Sequence, residues 1–369
     1  MNTDFTPFQS VGFIGLGLIG GSIAKHIRKV FPDTHILGFD IDTISLEVAC
    51  NDGTLSEITY QVDDTFGQCD VIFLCAPVHY NIEYLQTLKS ILKPTCILTD
   101  VGSVKGDIYQ AVKDVGMSDY FIGGHPMVGS EKCGYQAARE TLMENAYYFV
   151  TPSPTVNPEK VSHFSEYIRE LGALPIVYSP EEHDQVTAYI SHIPHVIASS
   201  LVNLVKNADG DGLYKELAAG GFKDITRIAS SSPTVWEHIL LSNPDHVRKG
   251  LDEYIAMLTE ISEAIKKQDG KAINNFFASA MTYRNSVPNK ATGVIETHYE
   301  CFIDIPDKPG ALSEVTKLLS QHQINIKNIG IANNREEREG ALCLELYYAQ
   351  DLENAITILR DQGYPVFTK

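Results

Sequence analysis

The chain has no excess of basic residues, which limits its partners. Its 369 residues include 29 Lys and Arg against 47 Asp and Glu, giving a formal net charge of −18. This charge argues against a duplex nucleic acid partner, because binding to phosphates requires a basic surface. The same charge repels small anions, so an anionic substrate would need a local cluster of Arg, Lys or His.

Paired cysteines and long apolar runs are also lacking. The seven cysteines are odd in number and form no CxxC motif, so a disulfide framework is not expected. This pattern predicts a protein of a reducing compartment, in which most cysteines pack as small buried side chains. The first ten residues lack the cationic and apolar segments of a signal peptide, and no uninterrupted apolar run is long enough to span a bilayer. These features predict a cytoplasmic protein without a membrane partner.

The chain does contain a change of hydrophobic period along its length. In the first half, short apolar strands alternate with helical stretches, which is typical of a mostly parallel sheet with helices on both faces. The strands are expected at 11–16, 34–40, 71–76, 96–100, 121–123, 147–151 and 174–178, and the helices at 20–30, 81–92 and 158–171. From about residue 180 apolar residues recur every three or four positions, which predicts helices over 188–206, 244–268 and 271–284. Pro194 should kink or interrupt the first of them.

A third unit begins near residue 297. Its strands (298–305, 324–331, 341–348, 365–368) and helices (311–322, 352–362) follow the order β-α-β-β-α-β of a ferredoxin-like domain. Segment 287–296 is the predicted linker. We therefore expect an α/β domain at 1–179, an all-α domain at 180–290 and a ferredoxin-like domain at 297–369.

The pattern Gly15-x-Gly17-x-x-Gly20 lies between the first strand and the first helix, and Asp40 ends the second strand. Gly15 permits a tight turn, Gly17 lets the backbone approach a pyrophosphate, and Gly20 lets the helix pack against the sheet. Free N–H groups at the helix start attract the pyrophosphate, and Asp40 can accept hydrogen bonds from the adenine ribose. The pattern predicts a Rossmann-type dinucleotide-binding domain, whose turn residues at the cofactor are Gly15, Leu16, Gly17, Leu18, Ile19 and Gly20.

The residues after Asp40 favour NAD over NADP. Ile41 and Asp42 follow it, with no Arg to pair with a 2′-phosphate. Ala76, at the end of another strand, is expected to lie along the cofactor; a plain strand terminus is the alternative reading.

Two polar residues follow neighbouring strands, where open sheets of this type bind ligands. Ser103 lies in the segment after one strand and His125 in the segment after the next. Either alone could be a helix cap or a loop residue, but together they can share one substrate hydroxyl. Because His titrates in the range that acid–base work requires, His125 is the candidate catalytic base.

The helical domain adds further candidates. His192 and His195 lie about one helical turn apart, yet no HExxH or Cys–His set accompanies them, so no metal is expected. His183 and His192 are expected to cap helices or pack in the core. Arg227, with Lys223 nearby, is a candidate carboxylate clamp, the alternative being a structural ion pair with Asp224 or a glutamate.

Five ordered motifs resemble those of the prephenate dehydrogenase family, over nearly the whole chain. They are GLGLIGGS (15–22), DVGSVK (100–105), GGHPMVGSEK (123–132), HDQVTAYISHIPH (183–195) and GGFKDITRIASSSPTVW (220–236). The resemblance implies NAD-dependent oxidative decarboxylation of prephenate to 4-hydroxyphenylpyruvate. It implies that His125 accepts the proton of the 4-hydroxyl with help from Ser103, that Arg227 binds a carboxylate and that His195 contacts the substrate side chain. Glu131 and Lys223 match lesser pocket residues.

The last unit, with the segment DKPGAL (307–312), resembles an ACT domain. Such units sense amino acids, which implies tyrosine as effector near Asp307, Gly310 and Asn325; a degenerate domain that serves assembly alone is the alternative. The resemblance also implies a homodimer through the helical domain and leaves open whether ACT pairing extends it to a tetramer. Rival functions are an arogenate dehydrogenase and a non-catalytic NAD-bound amino-acid sensor.

Overall fold

A computed structural model describes residues 5–129, 132–287, 299–306, 308–332 and 341–367. The chain divides into two compact units, Met1–Gly293 and Val294–Lys369. The predicted linker at 287–296 lies, beyond Val287, outside the described residues.

The first unit begins with a five-stranded parallel sheet. Its strands are β1 (Ser10–Ile14), β2 (His35–Phe39), β3 (Glu57–Thr59), β4 (Val71–Leu74) and β5 (Ile97–Asp100), in the order β3-β2-β1-β4-β5. Helices α1 (Leu18–Val30), α2 (Thr43–Asn51), α3 (Val78–Ile91) and α4 (Gly106–Val115) connect or follow them. The predicted strands and the predicted helices α1 and α3 are present, whereas the three-residue β3 and the helices α2 and α4 had not been predicted.

The central strand β1 is buried on both faces, as its continuous apolar run requires. Phe13 belongs to one hydrophobic cluster and stacks on Phe73 with ring centroids 5.1 Å apart, whereas Ile14 belongs to a second cluster with Ile72 and Leu74. Each fully buried side chain of this size contributes about 1.5–3 kcal/mol to folding. The sheet is therefore a rigid platform for the loops at its carboxyl edge.

A second sheet extends this platform. Strands β6 (Ile122–Pro126), β7 (Tyr147–Pro152) and β8 (Leu174–Val177) lie in that order, with α5 (Pro158–Glu170) between the last two in sequence. β6 is antiparallel to β7, and β7 is parallel to β8. A parallel bridge between Leu98 and Phe121 joins β5 to the start of β6. His125 was predicted to follow this strand, but it lies within β6, because the pairing with β7 continues to Pro126.

The helical part begins at residue 180, as predicted, but its first helix starts there and not at the predicted residue 188. Helix α6 (Pro180–Thr187) starts with a capping box, in which the Ser179 hydroxyl accepts from the Glu182 N–H and the Glu182 carboxylate accepts from the Ser179 N–H. A π-helical segment (Ala188–His192) then joins α6 to α7 (Ile193–Ala208). The expected interruption lies immediately before Pro194, whose missing N–H cannot make the usual helical bond.

The remaining helices complete this part of the unit. They are α8 (Leu213–Leu217), α9 (Gly220–Thr226), α10 (Pro233–Ser242), α11 (Pro244–Lys266) and α12 (Gly270–Ser286). By length and composition alone, the continuous helix Pro180–Ala208 could cross a membrane. It carries His183, Asp184 and His192, whose side chains are buried within the unit.

The second unit has the predicted β-α-β-β-α-β order. Its elements are β9 (Tyr299–Asp304), α13 (Ala311–Gln321), β10 (Ile326–Ala332), β11 (Ala341–Leu346), α14 (Ala349–Asp361) and β12 (Val366–Phe367). The antiparallel sheet has the order β10-β11-β9-β12. Its core includes Ile303, Val315, Leu319, Leu344 and Leu359. The predicted ferredoxin-like fold is confirmed.

Candidate active site

The glycine turn has the geometry that a pyrophosphate requires. Gly15 has φ +100°, and a Cβ there would lie 2.6 Å from the backbone nitrogen of Ala76. A Cβ on Gly20 would lie 2.4 Å from the Gly15 carbonyl oxygen, whereas one on Gly17 would meet nothing within 4 Å. Helix α1 has no capping side chain, so the first N–H groups of the helix point to the open space beside Gly17. This arrangement fits a dinucleotide.

Asp40 is held beside this turn. One carboxylate oxygen accepts a hydrogen bond from the Leu16 N–H, and the other accepts from the Asp42 N–H at 2.8 Å. The carboxylate therefore reaches the start of the turn from the end of β2, as ribose binding requires. Ile41, beside it, is exposed.

A cavity of about 700 Å³ lies next to the start of α1. It brings together four candidates from separate parts of the chain: Ser103, His125, His195 and Arg227. Leu18 and Ile19 of the nucleotide turn also line it. A ligand in this cavity would thus contact both the cofactor turn and the helical segment.

His125 is hydrogen-bonded to a second imidazole. Its Nδ1 lies 2.8 Å from Nε2 of His183, whose Nδ1 lies 2.8 Å from the Asp184 carboxylate. His183 is fully buried, and burial lowers the pKa of both histidines below the usual range. Both imidazoles are therefore neutral near pH 7, as a proton acceptor must be.

Beneath this site lies a buried ion pair. The Lys105 ammonium donates to the Asp100 carboxylate and, at 2.8 Å, to the Gly124 carbonyl oxygen. Asp100 also accepts from the Gly124 N–H at 3.2 Å. Lys105 and Asp100 are both at most 1% exposed, so the pair connects the end of β5 rigidly to the residue before His125.

His195 occupies the helical wall of the cavity. Its Nδ1 donates to the Ser191 carbonyl oxygen at 2.9 Å, which leaves Nε2 as an acceptor. The ring stacks on Trp236 with centroids 3.7 Å apart. Burial lowers the pKa of His195, and the positive charge of Arg227 lowers it further, so a neutral ring and a guanidinium lie on the same wall.

The remaining predicted site residues lie elsewhere. Lys223 is exposed on α9 and does not line the cavity, and Ala76 lies beside Gly15 at the end of β4. In the second unit, Gly310 precedes α13 with φ +93° and Asn325 precedes β10, both exposed. Glu131 and Asp307 lie outside the described residues.

Several cavity residues were not predicted from the sequence as site residues. Lys132, His192 and Trp236 line the cavity. His183 does not line it but contacts His125, and Asp184 in turn contacts His183. His183 was expected to cap a helix or pack in the core, but Ser179 caps the helix and His183 contacts His125 instead. The only local signal was an adjacent His-Asp pair early in a helix. Within the described residues, no group of three His, Cys, Asp or Glu could hold a metal ion.

Comparison with known proteins gives matches along most of the chain. Residues 23–177 match the family model "Prephenate dehydrogenase, nucleotide-binding domain", and residues 179–279 match "Prephenate dehydrogenase, dimerization domain". Residues 299–363 match the ACT domain model.

Individual relatives agree with these models. A prephenate dehydrogenase of Bacillus subtilis is 37% identical over 92% of this chain and 93% of its own length. The crystal structure of prephenate dehydrogenase from A. aeolicus, in complex with hydroxyphenyl propionate and NAD+, is 30% identical. It superimposes with a TM-score of 0.71 over 77% of this chain and 99% of that one. A Synechocystis arogenate dehydrogenase structure has a TM-score of 0.69 and 29% identity, over 76% and 100% of the two chains.

Proposed function

The chain belongs to the prephenate dehydrogenase family, and from that membership we propose that it converts prephenate to 4-hydroxyphenylpyruvate in tyrosine biosynthesis, with NAD as cofactor, in the cytoplasm. The observation that carries the proposal is the cavity that joins Ser103, His125, His195 and Arg227 to the start of α1. The cavity combines a neutral imidazole, which can accept the proton of a substrate hydroxyl, with cationic side chains, which can bind the two carboxylates of a dianion. NAD is favoured because Asp40 is followed by Ile41 and Asp42, with no Arg at either position.

Arg227 and Lys132 supply positive charge where the substrate binds. The chain carries a net charge of −18, so a dianion needs such a local cluster. We assign Arg227 to a substrate carboxylate because a guanidinium pairs with a carboxylate through two parallel hydrogen bonds. His195, with Nε2 as acceptor, contacts the substrate side chain. We also propose minor roles in substrate binding for Lys223 and Glu131, on the basis of the family resemblance alone.

The chemistry itself requires one base and accurate positioning. NAD+, when bound, supplies the hydride acceptor. His125 takes the 4-hydroxyl proton while Ser103 holds the same oxygen, and hydride leaves the carbon that bears the hydroxyl. Loss of the ring carboxylate as CO₂ then sends an electron pair into the ring. His125 returns the proton to the oxygen, which becomes the phenol of the aromatic product.

We propose further that the chain is a homodimer through its helical part and that the ACT unit binds tyrosine. Residues 179–279 match a dimerization domain, and α11 and α12 expose apolar side chains including Ile255, Leu258, Ile265, Phe277 and Met281. Regulation by tyrosine is supported by the ACT match at 299–363, which carries Gly310 and Asn325.

The substrate assignment is tested by side-by-side kinetics. Initial rates of NADH formation are measured with prephenate and with arogenate, which carries an amino group in place of the keto oxygen. We expect kcat/KM to be higher with prephenate. A strong preference for arogenate would assign the chain to the other substrate, and ligand binding without NADH formation from either would indicate a non-catalytic sensor.

A further inference from the structure

The three side chains His125, His183 and Asp184 form a continuous hydrogen-bonded row. The two joining distances are 2.8 Å each, and the row runs from the cavity wall into the interior. His183 is 0% exposed and Asp184 is 5% exposed, so neither contacts a substrate directly. They can act on the reaction only through His125.

The donors and acceptors along this row have one consistent assignment when both rings are neutral. A carboxylate accepts hydrogen bonds, so Nδ1 of His183 carries a proton and donates it to Asp184. A neutral imidazole holds one proton, so Nε2 of His183 is an acceptor and Nδ1 of His125 must be the donor. Nε2 of His125 is thereby left with a free lone pair.

Asp184 is itself fixed by the backbone. Its two carboxylate oxygens accept from the Lys105 N–H at 2.8 Å and the Gly106 N–H at 2.9 Å, at the start of α4. The Lys105 side chain also holds Gly124, next to His125. Lys105 therefore contacts both ends of the row, Asp184 through its backbone N–H and the residue before His125 through its ammonium group.

We propose, on the basis of the function above, that His183 and Asp184 are positioning residues that keep His125 protonated on Nδ1 and its Nε2 directed at the substrate hydroxyl. During the reaction the hydroxyl proton passes to Nε2 of His125. The resulting imidazolium keeps its Nδ1 proton, which is shared with Nε2 of His183, and Asp184 supplies the compensating negative charge. When the product oxygen takes the proton back, the row returns to its starting state.

The first test replaces His183 with two residues, of which only one can accept a hydrogen bond from His125. His183→Phe keeps an aromatic ring next to Phe149, whose ring lies 4.8 Å from that of His183, but offers no hydrogen-bond acceptor. His183→Gln retains an acceptor oxygen. We expect His183→Phe to lower kcat at least about tenfold, with the KM values for prephenate and NAD+ nearly unchanged, and His183→Gln to recover part of the loss.

The matched control is Thr187→Val, a substitution at another buried position of the same helix. The Thr187 hydroxyl donates to the His183 carbonyl oxygen at 2.9 Å but has no part in the imidazole row. Thr187→Val should keep the wild-type kcat. An unchanged kcat in folded His183→Phe, or an equal loss in Thr187→Val, would overturn the proposal.

A second measurement needs no substrate and no substitution at His183. Nitrogen-15 NMR of wild-type protein labelled at histidine reports which ring nitrogen of His125 carries the proton, with His125→Asn identifying the signal. We expect protonation on Nδ1 near pH 7, and protonation on Nε2 would overturn the proposal even if His183→Phe does not fold. Failure of the proposed function would instead appear as no NADH formation by the wild type, with the Nδ1 proton still in place.

Discussion

At the scale of single residues, the cavity places neutral imidazole rings beside the cationic side chains of Arg227 and Lys132. Burial lowers the pKa values of His125, His183, His192 and His195. Sequence patterns suggested His125 and Arg227 as candidates, and both line the cavity. They did not predict the contact of His183 with His125, because it joins residues 58 positions apart.

Replacement of Arg227 tests the carboxylate clamp. Arg227→Ala should raise KM for prephenate about tenfold or more and change kcat little, because a carboxylate that does not react is bound equally in the ground and transition states. Steady-state kinetics at saturating NAD+ measure both constants. An unchanged KM would remove Arg227 from the binding residues.

Buried His192 predicts a loss of stability in acid. In the unfolded chain a histidine takes up its proton near pH 6.5, whereas burial lowers the pKa of His192 to about 4. Between these values the unfolded state binds more protons, so stability decreases as the pH falls. By pH 5 this residue should cost about 2 kcal/mol of the free energy of unfolding.

Urea unfolding at pH 7 and pH 5 measures this effect. The loss of stability between the two pH values should be smaller in His192→Gln than in wild type, and the same as wild type in His238→Gln, since His238 is exposed on α10. Equal pH dependence in His192→Gln and wild type would show that His192 is not the group responsible.

At the scale of elements, the turn from β1 to α1 was predictable in detail. The spacing of the glycines indicates where the backbone must turn tightly or approach another segment. A Cβ on Gly15 or Gly20 would indeed lie too close to backbone atoms. Strand β3 was missed because three residues carry too little alternation to be recognised. The early start of α6 could have been found from the S-x-x-E pattern of Ser179 and Glu182, with Pro180 at the first helical position.

Two glycine variants separate cofactor binding from folding. A Cβ on Gly17 meets no atom within 4 Å, so Gly17→Ala should keep a melting temperature near that of wild type but raise KM for NAD+ about tenfold or more. A Cβ on Gly20 lies 2.4 Å from a backbone oxygen, so Gly20→Ala should lose about 1–3 kcal/mol of stability. Thermal unfolding and NAD+ titration measure the two effects. A normal KM for NAD+ in Gly17→Ala would contradict the pyrophosphate assignment.

At the scale of the whole molecule, the chain combines a catalytic unit with a small second unit. The α/β, all-α and ferredoxin-like succession was predictable because each part has its own hydrophobic period, and the family models match all three. The cavity between the strand ends and the helices of the first unit was not predictable in detail. It depends on packing between residues as distant in sequence as Ser103 and Trp236.

Removal of the second unit tests tyrosine regulation. A chain ending at residue 296 should retain NADH formation but lose inhibition by tyrosine, and full-length Asn325→Ala should weaken the inhibition without a change in kcat. Inhibition curves at fixed prephenate measure both effects. Undiminished inhibition of the shortened chain would place tyrosine in the cavity of the first unit.

The most direct test of the proposed function measures NADH and 4-hydroxyphenylpyruvate together, in wild type and in His125→Asn. We predict that wild-type protein forms the two products in equal amounts from prephenate. We predict that His125→Asn lowers kcat about a hundredfold or more and leaves NAD+ binding intact. Absence of NADH formation from prephenate by the wild type, or an unchanged kcat in His125→Asn, would contradict the assignment of this cavity as the site of prephenate oxidation.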